Sequence, residues 1–110
     1  MILADNSLLL DIASFCLDRL NIPKNINITI SQCCLKEDNT WGWCYDDEDN
    51  DYDIELEATL DPVDLAETLC HEMVHIRQFS NDQEANEEEA DQLESILYNE
   101  WKEKQHGKRI

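Results

Sequence analysis

Glycine and proline are scarce in this chain, two of each in 110 residues. No internal repeat or low-complexity linker divides it, so a single domain with one modest hydrophobic core is expected over residues 1–110. No apolar run approaches the roughly 20 residues needed to span a bilayer. The opening stretch, MILADNSLLLDIASFC, lacks the basic n-region and small-residue cleavage site of a signal peptide. The expected compartment is the cytoplasm. Cations are scarce too, 8 Lys and Arg against 26 Asp and Glu, for a formal net charge of -18. Such a surface repels nucleic-acid phosphates and anionic membranes, so neither is expected as a partner. It favours basic partners, or serves solubility alone. The nine C-terminal residues, KEKQHGKRI, reverse the sign locally, where cations complement the end of a helix dipole.

Cysteine is present without a framework. The five residues Cys16, Cys33, Cys34, Cys44 and Cys70 form no C-x-x-C pair, which excludes a zinc ribbon. Cys16 and Cys70 sit among apolar helical neighbours and are expected as buried free thiols. Cys33 and Cys34, adjacent on a strand, would point to opposite faces and cannot easily share a site.

The pattern that remains is α+β. A first helix is expected from Asp5 or Ser7 to Leu20, with Leu9, Ile12, Ala13, Cys16, Leu17 and Leu20 at core spacing and Pro23 barring its extension. Alternation in NINITIS (25–31) marks a strand. Residues 41–45 and 52–57 read as an antiparallel hairpin around the acidic connection 46–51. Alternating Asp47, Asp49, Asp51 and Asp53 lack the glycine and closing glutamate of an EF-hand loop, so a disordered, solvated turn is expected there rather than a calcium site. Asp61-Pro62-Val63-Asp64 announces a helix that runs to about Phe79, with Leu65, Leu69, Met73 and Ile76 inward. Ser80-Asn81-Asp82 breaks it. A last helix is expected from roughly Gln83 to Lys104, with Leu93, Ile96, Leu97 and Trp101 facing the core.

Chemistry is concentrated in His71-Glu72-Met73-Val74-His75, an H-E-x-x-H motif. At about 100° per residue, two histidines four apart project from one side, one turn above the other, and can share a tetrahedral Zn²⁺. Glu72 lies too far round the helix to be an obvious third ligand, yet can reach water held at the metal and accept its proton. If the chain reverses near Asn81, His75 lies opposite Glu87 and His71 opposite Asp91. Glu87 would then complete the metal site, and Asp91 would hydrogen-bond the far nitrogen of His71. A register slip would substitute Glu88 or Glu89.

H-E-x-x-H followed on the next helix by E-x-x-A-D resembles the gluzincin class of zinc metallopeptidases. The strings ETLCHEMVHIRQF and W-G-W-C-Y and the E-x-E-A run are similar to small metallopeptidase-like proteins encoded by bacteriophages. The resemblance covers about residues 41–101. It implies a minimal zincin-like domain: an N-terminal helix, a small antiparallel or mixed sheet, the H-E-x-x-H helix and an antiparallel glutamate helix. It also implies Glu72 as catalytic base, with His71, His75 and Glu87 as ligands. In that class an edge strand beside the cleft pairs with extended peptides, a role open to 41–45, although Trp41 and Trp43 read more simply as core or hairpin residues. Tyr45, Tyr52, Tyr98, Arg77 and His106 are the available oxyanion donors, and spacing does not choose among them.

The expected function is zinc-dependent hydrolysis of a peptide or isopeptide bond by a monomer acting on a peptide or protein substrate, in the host cytoplasm if phage-encoded. The alternative is an acidic binding module, a DNA mimic or an inhibitor of a basic host protein, carrying a structural zinc.

Overall fold

Asn6 opens helix α1 (Ser7–Arg19) by accepting a hydrogen bond from the Leu8 amide at 2.8 Å. This satisfies one of the donors that a first helical turn leaves unpaired. Leu9, Ile12, Ala13 and Cys16 are buried along the inner face, as their spacing predicts. The helix ends before Pro23, because Asn21 takes a left-handed φ of 54°.

The described residues form four strands, β1 (Ile2–Ala4), β2 (Asn27–Cys33), β3 (Gly42–Asp46) and β4 (Asp51–Glu57), of which β2, β3 and β4 follow the expected alternation. They form one mixed sheet in the order β1-β2-β4-β3. β1 and β4 each pair with β2 in parallel, and β3 pairs with β4 antiparallel as the expected hairpin. In register, Ile28 meets Tyr52, Ile30 meets Ile54 and Gly42 meets Leu56. The isoleucines, Tyr52 and Leu56 are buried, so this is the inner face. β1 was not expected from the sequence. Three residues carry no periodic signal; main-chain pairing holds them, with the Met1 carbonyl accepting from Ile28 N at 2.8 Å.

The acidic connection is a built turn, not the disordered one expected. Glu48, Asp49 and Asn50 all take positive φ, the Asp51 amide donates to the Glu48 carbonyl at 3.0 Å, and Asp46 Oδ1 accepts from the Glu48 amide at 3.0 Å. Asn and Asp tolerate the left-handed region because their short polar side chains bond locally. Among the described residues, no group able to hold a metal lies in this turn.

Helix α2 (Pro62–Ser80) starts as predicted, with Asp61 accepting from the Asp64 amide at 2.9 Å. Helix α3 (Glu87–Gly107) starts later than the expected Gln83. Asp82 turns left-handed at φ 58°, and Asn86 caps the helix by accepting from the Glu89 amide at 3.0 Å. Leu97 is buried, but Ile96 is 49% exposed. It lies outside the stripe formed by Ala90, Leu93, Leu97 and Trp101, which packs on or within the core. The far end of α3 is tied to α1 by Trp101 Nε1 and Gln105 Nε2, both donating to Asp11 Oδ2 at 2.8 and 2.9 Å.

The result is a compact α+β domain of three helices and a four-stranded mixed sheet, with a radius of gyration of 13.2 Å. Its computed structural model describes residues 1–107. The side chain of His106, weighed above as a donor, and the end of the basic tail at 108–110 lie outside the described residues. Cys16 and Cys70 are buried free thiols, their sulfurs 3.9 Å apart. Among the described residues, no helix is long and apolar enough to cross a membrane.

Candidate metal centre

Helix α2 is buried on most of its circumference, so it takes polar side chains into the interior with it. Glu72, His75 and Gln78 are all buried. His71 and His75 stand one turn apart with ring centroids 4.9 Å apart, and His75 stacks on Phe79 one turn further along. Both imidazoles turn toward the start of α3. Glu87 Oε2 lies 2.9 Å from His71 Nε2, and Glu87 Oε1 lies 2.9 Å from His75 Nε2. One carboxylate thus spans both rings. The three residues offer ligand atoms that all lie within 4.8 Å of one another. Two imidazoles and a carboxylate are a donor set suited to zinc.

The mirrored register about Asn81 places Glu87 and Asp91 where the sequence puts them. Asp91 Oδ1 is 3.4 Å from His71 Nδ1, the nitrogen facing away from Glu87. Glu88 and Glu89, the alternatives to Glu87, are not in the cluster. Glu89 is occupied elsewhere, 2.8 Å from Arg77 Nη2 and 2.9 Å from Gln78 Nε2. These bonds from Gln78 and Arg77 hold its carboxyl below the ordinary range.

Glu72 is 5% exposed. Burial pushes its carboxyl up to about 7, against the pull of the two neighbouring imidazoles. A carboxyl poised near neutrality is suited to taking and returning a proton. Its other neighbour is Gly42 on β3. A Cβ built at Gly42 would sit 2.9 Å from Thr68 Cγ2 and 3.1 Å from Glu72 Oε2. Glycine in this strand therefore marks a close approach between strand and helix rather than an unusual φ.

The cluster opens into a cleft of about 670 Å³ between β3 and the start of α3, lined also by Trp41, Trp43 and Glu94. The two tryptophans are 56% and 41% exposed, so of the two expected roles, core or hairpin, the core one does not hold, while Trp43 stands in the hairpin opposite Glu55. No Lys or Arg is among the described residues that line the cleft. None of the four described oxyanion candidates lines it either. Tyr45 donates to Glu55 at 3.0 Å, Tyr52 on β4 is buried in the core, Arg77 pairs with Glu89, and Tyr98 stacks near Trp101.

Two residues close to the histidines were missed in the sequence. Glu94 Oε1 lies 3.6 Å from His71 Nδ1, and burial raises its carboxyl against the opposing pull of that imidazole. Gln78 Oε1 lies 2.9 Å from His75 Nδ1. Glu94 follows Asp91 by three positions and so shares its helix face, a signal that was there to use. Comparison with known proteins adds nothing to this geometry: no family model, curated protein or solved structure matches the chain.

Proposed function

We propose that this chain is a minimal zincin-like, zinc-dependent metallopeptidase of gluzincin type that hydrolyses a peptide or isopeptide bond. The observation that supports this reading is the meeting of His71 Nε2, His75 Nε2 and the Glu87 carboxylate at one point, beside the buried carboxyl of Glu72. A Zn²⁺ held by these three residues would polarise the substrate carbonyl and lower the pKa of water at the open position. Glu72 takes the proton from the attacking water and delivers it to the leaving amine. Asp91 stands on the opposite side of the His71 ring, with Oδ1 3.4 Å from Nδ1, where it can orient the imidazole. β3 stands at the edge of the sheet with one side free of strand partners, so an extended peptide can pair with its backbone beside the cleft. The protein acts as a monomer, in the cytoplasm, on a peptide or protein substrate.

The charge of -18 favours a second reading, an acidic module that binds a basic partner or mimics DNA and uses zinc only structurally. Glu72→Gln separates the two. The substitution is nearly isosteric and removes no metal ligand, so zinc content should be unchanged. Cleavage of a degenerate peptide mixture, followed by mass spectrometry, should fall by about 10²–10⁴-fold, the usual share of a general base. Equal cleavage by both proteins would overturn the role of Glu72. No zinc-dependent cleavage by either, together with a basic partner whose binding weakens steeply with salt, would favour the acidic module.

A further inference from the structure

The hydrolytic reading assigns nothing to Gln78, yet it is the most buried polar side chain near the cleft, only 1% exposed. Its Nε2 donates to the Asn86 carbonyl at 3.1 Å and to Glu89 Oε1 at 2.9 Å. Its Oε1 accepts from the Asn86 amide at 3.0 Å. These three partners fix which way the amide faces. Turned over, its NH₂ would confront the Asn86 N–H, and its oxygen would confront a carbonyl and a carboxylate. The atom that meets His75 Nδ1 at 2.9 Å is therefore the oxygen. An amide oxygen has no proton to give. Nδ1 must carry the hydrogen, and the neutral ring then presents the Nε2 lone pair toward Glu87 and His71.

We propose that Gln78 is a positioning residue with two linked effects: it sets the tautomer of His75, and it fixes the start of α3. The second effect runs through Asn86, which Gln78 grips by both its N–H and its C=O. Asn86 caps α3 and immediately precedes Glu87, so the same amide governs the histidine ligand and the placement of the carboxylate opposite it. The competing tautomer, with Nε2–H donating to Glu87, keeps one bond to a carboxylate whose side chain is 67% exposed. It leaves the Nδ1 lone pair facing the Gln78 oxygen at 2.9 Å, and relieving that repulsion by turning the amide over gives up its three other bonds.

The zinc-affinity part of this inference rests on the metal reading above; the tautomer part does not. Histidine-ring ¹⁵N NMR of the metal-free protein, recorded well above the imidazole pKa so that the ring is neutral, should show His75 protonated at Nδ1. Gln78→Met removes the acceptor, and the ring should change to Nε2–H. Zinc affinity, measured by competition with a chromophoric chelator, should fall by about 10–100-fold, as for other groups that orient a metal-bound histidine. Gln78→Glu keeps an acceptor facing Nδ1 while losing the donors to Asn86 and Glu89, so it should retain Nδ1–H. A merely structural role would leave the tautomer alike in both variants. Nε2–H in the unaltered protein, or an unchanged tautomer in Gln78→Met, would overturn the proposal. If Gln78→Met does not fold, the other two spectra still decide it: loss of Nδ1–H in either overturns the proposal. Should the protein bind no zinc, the metal reading fails while the spectra continue to judge the tautomer.

Discussion

Glu57 shows how one side chain can hold a loop. It is 3% exposed and accepts from the Leu35 amide at 2.7 Å, the Thr59 amide at 2.9 Å and the Thr59 hydroxyl at 2.6 Å. Those bonds, led by the Thr59 hydroxyl, lower its carboxyl from an ordinary 4.5 to about 2. A carboxylate with a depressed folded-state pKa stabilises the fold fully above the unfolded value and loses that contribution as pH falls toward the folded value. Chemical denaturation should therefore show stability dropping between about pH 4.5 and 2, with a shallower drop in Glu57→Gln. An identical pH dependence in the two proteins would contradict this account. Gly42 makes a different point. Gly42→Ala forces a methyl against Thr68 and Glu72, so it should reduce hydrolysis while leaving zinc content unchanged; full activity would show that the approach of β3 does not position Glu72. The grouping of His71, Glu72 and His75 is legible in the H-E-x-x-H spacing, and residue count along two antiparallel helices points to Glu87 while leaving Glu88 and Glu89 open. Gln78 is not legible in this way, since its role depends on partners in a turn whose shape no period encodes.

The helical hairpin was legible in outline and less so at its margins. The cap at Asp61 follows from residue type, whereas at α1 residue type allows Asp5, Asn6 or Ser7 and Asn6 is the one that caps; the strands β2, β3 and β4 follow from alternation. β1 has no pattern to read, only main-chain partners. The start of α3 was misplaced because residues 83–86 are as polar as the helix that follows; what ends the turn is the cap at Asn86 and the grip of Gln78. The face of α3 is also sharper than apolar content suggests, since Leu97 is buried while Ile96 is 49% exposed. Leu97→Ala should cost about 2–5 kcal/mol by denaturant unfolding, the range for emptying a core site. Ile96→Ala should stay within about 0.5 kcal/mol, as exposed substitutions do. Similar losses at both positions would mean that the helix is rotated relative to this description.

Across the entire chain, like-charge repulsion is expected to outweigh ion pairing. The formal charge is -18, whereas exposed pairs such as Lys24 with Asp18 and Arg19 with Glu100 each contribute about 0–1 kcal/mol. Salt at about 0.15 M shortens the screening length to about 8 Å and weakens the repulsion, so the melting temperature should rise with salt; a fall would mean that ion pairs dominate. The cleft concentrates this problem, because Glu72, Glu87, Asp91 and Glu94 line it with no Lys or Arg among the described lining residues. A divalent cation there would both fill the proposed ligand set and offset the negative charge. Elemental analysis of protein purified without added metal tests that claim most directly. The account predicts one zinc per chain, lost in His71→Ala and His75→Ala. A zinc-free protein that stays metal-free after incubation with Zn²⁺ would contradict it.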